Sequence, residues 1–539
     1  MSATHDVDNQ VPPLTDYDVF GADTALVEGV QRHDGGWALD SLSALGRRAG
    51  SAEAQEWGRL ANVNPPRLVS HDPYGNRIDE VEFHPSWHSL MTVAVGEGLH
   101  AAPWIDPKPG AQVARAAGFS VWSQTEGGHG CPISMTHAAV PALRVDEALA
   151  VEWVPRLLSL DYDPGLRTPA DKAGCLAGMG MTEKQGGSDV RTNTTRAVPS
   201  ADGTYRLTGH KWFTSAPMCD MFLVLAQAPG GLTCFVVPRV LPDGERNTFR
   251  IQRLKDKLGN RSNASSEPEF DETVGWRLGD EGRGVPTIIE MVAMTRLDCV
   301  MGSTTVMRSS VAQATHHARH RQAFGRYLID QPLMQAVLAD LAVESEAATT
   351  LMVRLAAAVD DDESAFKRLG LAVGKYWVCK RGPSVAAEAL ECLGGNGYVE
   401  DFPMARIYRE APLNSIWEGS GNVNALDVLR ALGREAGAWE AFRDEVVLAS
   451  GADRRLDAAI GALDTALADS SDIEVRARRL VEQMALVLQG SLLVRFAPAF
   501  IADAFCASRL AGDWGHAFGT MPAGVDARAI VERATPKVG

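Results

Sequence analysis

The sequence lacks the features that would assign many chains at a glance. Its eight cysteines (Cys131, Cys175, Cys219, Cys234, Cys299, Cys379, Cys392 and Cys506) form no C-x-x-C pair, which excludes a zinc ribbon and a dithiol redox motif. Most lie in apolar runs such as Thr233-Cys234-Phe235-Val236, so buried free thiols in a reducing compartment are expected. No basic-then-apolar stretch stands near Met1, so no secretory leader is expected. The most apolar segment, residues 484–508, is interrupted by Gln489, Arg495, Pro498 and Asp503. A membrane span needs about 20 largely uninterrupted apolar residues, so this segment reads as buried helix in a cytoplasmic protein. Positive charge is short: 52 Lys+Arg against 68 Asp+Glu leave a net charge of −16, which opposes general attraction to nucleic acid or anionic membranes. A dinucleotide fingerprint is missing, since Gly282-Arg-Gly284 has no third glycine and no strand-to-helix setting. A hydrolase elbow is missing too, because Ser420 has Glu418 where the first glycine belongs.

What remains is an ordinary globular composition, 45% hydrophobic and 22% charged, over 539 residues. That length exceeds the roughly 250–300 residues at which single cores stop growing. From Asp16 to about Ala170 the apolar spacing is mainly helical, with loop punctuation at Asn62-Val-Asn-Pro-Pro-Arg and Asp72-Pro-Tyr-Gly-Asn-Arg. Between Cys175 and about Gly279 come short runs rich in β-branched and aromatic residues, parted by Asp202-Gly203, Pro229-Gly-Gly and Pro242-Asp-Gly; these predict an antiparallel sheet or barrel. Long helical blocks return at residues 288–308, 333–358 and 369–393, suiting an antiparallel bundle. A last helical region runs from Ala438 to about Ala511, and the tail after Gly512 reads as irregular. The segments are therefore 1–174 helical, 175–284 β, 285–435 helical bundle and 436–539 helical.

Four motifs carry chemistry. Met181-Thr182-Glu-Lys-Gln-Gly-Gly187-Ser188-Asp189 stands where helices give way to strands; its glycines, amides and hydroxyls would let backbone approach an anion or a polar ring, or simply make a turn. Lys211-Trp212-Phe213-Thr214-Ser215 pairs aromatics with hydroxyls at a strand end, which fits a stacking surface or a half-buried strand. Arg321-Gln-Ala-Phe324-Gly325 is followed by Gln335, and next to it stand His316, His317 and His320, of which the i, i+4 pair shares a helix face; lacking a third ligand, they read as surface histidines rather than a metal site. Leu393-Gly394-Gly395-Asn-Gly-Tyr398 stops a helix, and Ile416-Trp417-Glu418-Gly419-Ser420-Gly421-Asn422 follows about twenty residues on.

In order and spacing these four segments resemble the acyl-CoA dehydrogenases. The flanks Leu60-Ala-Asn-Val-Asn-Pro-Pro66, Phe83-His-Pro-Ser-Trp-His88 and Lys255-Asp-Lys-Leu-Gly-Asn-Arg-Ser-Asn-Ala264 are similar to the AidB group of alkylation-response flavoproteins. The resemblance implies the acyl-CoA dehydrogenase fold: mostly α, with a central antiparallel β domain, an N-terminal helical domain, a four-helix bundle and an extra C-terminal helical region. It implies FAD, contacted by Met181, Thr182, Gly187, Ser188, Trp212, Phe213, Thr214 and Ser215, by Arg321, Phe324, Gln335, Gly394 and Gly395, and by Ile416, Trp417, Gly419, Ser420, Gly421 and Asn422. Glu418 takes the place of the family's catalytic base. Arg430 matches a family arginine near the active site, with an ion pair to Asp427 as the structural alternative. The same resemblance implies a homotetramer built as a dimer of dimers, an acyl-CoA or related substrate, double-stranded DNA as a partner of the C-terminal region, and weak dehydrogenase activity. A metabolic acyl-CoA dehydrogenase without a DNA role is the alternative reading.

The DNA expectation meets resistance in the charges. Residues 436–539 hold 11 Lys+Arg and 14 Asp+Glu, a balance of −3, whereas phosphate contacts need cations. Arg454-Arg455 and Arg476, Arg478 and Arg479 would form a narrow basic stripe or an ordinary solvated helix face. Residues 246–261 hold Arg246, Arg250, Arg253, Lys255, Lys257 and Arg261 against Asp256, a local +5 that would face a phosphate of CoA or of DNA.

Overall fold

The computed structural model describes residues 4–537. Two compact units emerge, one of Met1–Gln55, Lys108–Gln124 and Cys299–Gly539, the other of Glu56–Pro107 and Thr125–Asp298.

The second unit is built round an eight-stranded sheet. Its longest strand, Ser265–Leu278, pairs antiparallel with Tyr205–His210, Thr214–Ser215, Gly231–Pro238 and Phe249–Leu254. The run Met-Phe-Leu-Val-Leu-Ala at the start of strand Met221–Ala228 is buried throughout, the continuous apolar pattern of a strand covered on both faces. That strand makes a hairpin with Gly231–Pro238 across the Pro229-Gly230 turn. The expectation of a purely antiparallel sheet needs one correction: Ala177–Gly180 runs parallel to Met221–Ala228, and Arg196 pairs parallel with Gln227. The forty-odd residues between Ala177 and Met221 contain a complete hairpin, long enough to return the chain for a parallel pairing. Close approach there depends on Gly178, where an added Cβ would lie 2.4 Å from the Phe222 ring. A second correction concerns Asp72-Pro-Tyr-Gly-Asn-Arg, which is the turn of a β-hairpin, Arg67–His71 with Arg77–Glu82, inside a stretch read as mainly helical. The Asp72 carboxylate accepts from the Tyr74 and Asn76 amides and fixes that turn.

The first unit is helical. Pro332–Asp360 is its axis: every residue from Leu338 to Ala358 is buried, including Asp340, Glu344, Glu346 and Arg354, whose charges are paired with Arg509, Arg381, Arg533 and Glu445. Around it pack Thr24–Arg32, Ala111–Trp122, Ser364–Cys392, Ile473–Phe496 and Ala527–Ala534. Gly284–His320, 37 residues long, enters this unit at Cys299. Residues 484–508 are helical with a break before Pro498; residues 484–493 are mostly buried as expected, whereas 494–500 are half-buried or exposed. The tail after Gly512 is not wholly irregular. Helix Ala527–Ala534 is capped by Asp526 and fastened by Arg533 to Glu28 at 2.6 Å and Glu346 at 3.0 Å. With eight residues and no long apolar period, it gave little signal in the sequence.

All eight cysteines are buried and free. Among the described residues no helix is long and apolar enough to cross a membrane, and no group of three metal-ligating side chains gathers.

Candidate active site

In the sheet unit, the two segments around Met181 and Trp212 are held together from beneath. Glu183 and Lys211 form an ion pair at 2.8 Å with both side chains 0% exposed. Glu183 also accepts from the Thr194 and Thr195 amides, the Thr194 hydroxyl and Gln185. Burial alone would raise its pKa, but Lys211 and these donors outweigh burial and hold the carboxyl far below its ordinary range. Burial pushes the Lys211 ammonium down to about 8 against the pull of Glu183, so the pair is ionised at neutral pH. Backbone completes the clamp, with the Trp212 amide donating to the Thr182 carbonyl at 2.9 Å.

Above the clamp, Trp212 is half-buried and Phe213 is 56% exposed. The Lys255 ammonium lies 3.3 Å from the Trp212 ring centroid while pairing with Glu267 at 2.6 Å. Thr214 and Ser215 pair with Ser266 and Ser265 on the long strand. The Thr214 hydroxyl is buried with no hydrogen-bond partner among the described residues. Lys257 donates to the Ser265 hydroxyl at 2.9 Å, which is 3.3 Å from that of Ser215. Met181 and Thr182 are half-buried, and Gly187 and Ser188 are exposed. Gly187 lies so close to Thr182 that a Cβ would be 2.3 Å from its hydroxyl. An open aromatic face beside an unsatisfied buried hydroxyl suits a planar heterocycle with a polar edge, such as a flavin.

In the helical unit, Arg321 follows directly after helix Gly284–His320. Gln322–Ala323 and Arg326–Tyr327 form a tiny hairpin whose turn residues Phe324 and Gly325 have φ of 52° and 74°. Such turns favour Asn-Gly, yet here the first place is a phenylalanine 99% exposed. Arg321 donates to the Asn9 carbonyl, and Asn9 Oδ1 accepts from the Gln322 amide at 2.8 Å, pinning the turn. Gln335 is half-buried in the first turn of Pro332–Asp360. Gly394 and Gly395 are exposed, with nothing within 4 Å of an added Cβ, and Gly394 takes a φ of 60°.

The Glu418 loop lies in the same unit. Glu418 has a φ of 57° and Gly419 one of 98°. Left-handed backbone at a glutamate costs roughly 1–2 kcal/mol, so the surroundings must hold it. Asn424, fully buried, donates to the Gly419 carbonyl at 2.6 Å and the Ser420 carbonyl at 3.1 Å. Lys375, 1% exposed, donates to the Trp417 carbonyl at 2.8 Å and to the Gly419 carbonyl. Trp417 is half-buried with its indole nitrogen on Asn414, Ile416 is 63% exposed, Ser420 and Asn422 are exposed, and Gly421 is buried beside Lys380. Arg430 pairs with Asp427 at 3.1 Å, and Arg368 holds the same carboxylate at 2.9 Å. This is the ion pair anticipated for a structural arginine.

The cationic candidates fare unevenly. Arg455 is paired with Asp453 and Asp503, and Arg476 donates to the carbonyls of Ala466, Asp469 and Ser471. Arg478 reaches the Tyr376 hydroxyl at 3.2 Å, while Arg454 and Arg479 are exposed. In the stretch 246–261, Arg246 meets Glu80, Arg250 meets Asp271, Arg253 and Lys255 share Glu267, and Arg261 meets Asp256. Three acids from outside the stretch, Glu267 and Asp271 across the strand pairing and Glu80 from the hairpin, reduce the local +5 to +2. The histidines also need correction: His316 and His317 are buried, not surface residues, and His316 bonds the Pro12 carbonyl.

Glu183, Lys211, Lys375 and Asn424 were missed as site residues. The first two adjoin motif positions, but nothing local says that residues 28 apart form a buried pair.

Comparison with known proteins places this architecture among the acyl-CoA dehydrogenases. A Caenorhabditis elegans protein solved in complex with C11-CoA superimposes with a TM-score of 0.88 at 28% identity, covering 95% of this chain and 94% of that one. Residues 9–164 match the adaptive response protein AidB N-terminal domain, 178–273 the acyl-CoA dehydrogenase middle domain and 282–433 the acyl-CoA dehydrogenase C-terminal domain. AidB of Escherichia coli is 48% identical over 509 residues, spanning 93% of this chain and 94% of the relative. Acyl-CoA dehydrogenase family member 11 of Caenorhabditis elegans is 31% identical over 499 residues, spanning 84% and 79%. The chain belongs to the acyl-CoA dehydrogenase family, in its AidB group, and is an FAD-dependent oxidoreductase of that type.

Proposed function

We propose that the protein dehydrogenates an acyl-CoA thioester, short or branched in its acyl part, with Glu418 as the base. The observation that carries this is the glutamate itself, held in left-handed backbone by a buried lysine and a buried asparagine. Other carboxylate residues, such as Asp34 and Glu272, also take positive φ, but at Glu418 the strained loop is gripped by two buried side chains, and strain so maintained suits a functional residue. Glu418 would take the proton α to the thioester carbonyl, while the β C–H bond breaks with its electron pair and a C=C bond forms. The chemistry supplied by bound FAD is acceptance of that hydride. Trp417 would shield the carboxylate from water and raise its basicity, and the Glu418 amide would donate to the developing enolate oxygen. Trp212, Phe213 and the unpartnered Thr214 hydroxyl would orient the flavin, with Met181, Thr182, Gly187, Ser188 and Ser215 along its polar edge. Arg321, Phe324, Gln335, Gly394 and Gly395 would meet its diphosphate and adenine end in a homotetramer, to which the almost fully exposed Phe324 gives support. Support for an acyl-CoA comes from the relative solved with C11-CoA. The test is Glu418→Gln: it should keep FAD bound and abolish reduction of the flavin by acyl-CoA, and retained reduction would remove Glu418 as the base.

From the resemblance to the AidB group we further propose a second role, in a cytoplasmic response to DNA alkylation. For it the exposed Arg454, Arg478 and Arg479 are the cations left available. The four sequence segments are kept as the proposed modules; the family matches cover 9–164, 178–273 and 282–433, the last beginning inside the second segment.

A further inference from the structure

Lys375 has no place among the motifs, yet its ammonium is buried in helix Ser364–Cys392 and aimed at the base loop. It donates to the two carbonyls on either side of Glu418, those of Trp417 at 2.8 Å and of Gly419. Burying a lysine is costly unless its charge is compensated, and here its ammonium is met by two carbonyls. Those two carbonyls face one cation because Glu418 and Gly419 both take positive φ.

We propose that Lys375 is a positioning residue for Glu418: it imposes the left-handed turn that presents the carboxylate, and its charge lowers the proton affinity of that carboxylate. This rests on the reading of Glu418 as the base. Other charged groups of this neighbourhood include Lys380, beside Gly421, Arg478, whose charge acts on Lys380, and Asp427 in the following helix, paired with Arg368 and Arg430. Cys379 is on the same helix and is held neutral, mainly by burial. Lys375 alone among these bonds the peptide groups flanking the glutamate. Asn424 holds the Gly419 carbonyl as well, so removing Lys375 should loosen the loop rather than unfold the unit.

The test uses the FAD-loaded full chain carrying Lys375→Met, and Lys375→Gln, which keeps a donor without the charge and serves alone if the methionine variant does not fold. Three readouts are taken. Amide hydrogen exchange over residues 417–421 should quicken roughly tenfold or more in the methionine variant, because the local opening becomes easier. Turnover should fall about 10- to 100-fold while the KM for acyl-CoA and FAD affinity move less than about threefold, the signature of a misplaced base. The acidic limb of the pH profile should shift upward by about one pH unit in either variant, since a nearby cation no longer favours the carboxylate. A Lys that merely filled space would leave the pH limb where it is, and an unshifted limb together with unchanged exchange would overturn the proposal. Glu418→Gln separates the two readings. If it retains turnover, the base assignment fails, while quickened exchange in the lysine variants would still support the positioning of the loop.

Discussion

Removing Lys211 tests the clamp beneath the proposed flavin-contacting segments. Both members of the Glu183–Lys211 pair are 0% exposed, so solvent screening offers no discount and added salt should change little. Replacing Lys211 with Met leaves Glu183 two choices, to remain a buried anion or to take up a proton. Taking up a proton at pH 7 from an ordinary value of 4.5 costs about 3.4 kcal/mol at roughly 1.36 kcal/mol per unit. That agrees with the roughly 3–5 kcal/mol seen when one partner of a buried pair is removed. At pH 5 the same protonation costs only about 0.7 kcal/mol, so the penalty should shrink on acidification, a signature that lost packing would not give. By scanning calorimetry, 3–5 kcal/mol corresponds to a melting point lower by roughly 6–20 °C. The double variant Glu183→Gln with Lys211→Met should recover most of the loss, because no uncompensated charge remains. A single variant less than about 1 kcal/mol less stable than the parent at pH 7, or equally destabilised at pH 5 and 7, would show that no buried charge is left uncompensated.

Other consequences are as sharp. Burial and nearby cations depress His33 and His317 to about 4 from 6.5. Both stay neutral in the fold and protonate in the unfolded chain, so the stability they contribute is complete above about 6.5 and lost as pH falls through about 4; His317→Gln should flatten melting temperature against pH in that window. Gly178→Ala would press a methyl to within 2.4 Å of the Phe222 ring and should cost about 1–3 kcal/mol, measured by denaturant unfolding. If DNA binds through Arg454, Arg478 and Arg479 alone, the logarithm of affinity should fall with that of salt with a slope no steeper than about −2.7. A slope near −6 would call for cations elsewhere.

The sequence made the motifs legible because each is a short string with its own backbone demand. Glycine at 394, an aromatic pair at 212 and 213, and a glutamate before glycine at 418 all announce themselves locally. Pairing across the sheet was not legible. The basic stretch 246–261 looked like a phosphate surface until Glu267, Asp271 and Glu80 arrived beside it. Glu183 and Lys211 likewise mean little apart. His316 read as exposed because its helix has a polar local pattern near its end, and burial there comes from packed neighbours rather than from periodicity. Lys375 was hidden for a plainer reason: a lysine in an apolar helix carries no signal of what its ammonium will meet.

Glu418 as the base of flavin reduction is best tested by mixing the purified FAD-bound protein with acyl-CoA under anaerobic conditions and following the visible absorbance of the flavin. The wild-type flavin should be bleached and that of the Glu418→Gln protein, with FAD still bound, should not. Equal bleaching of both would contradict that assignment.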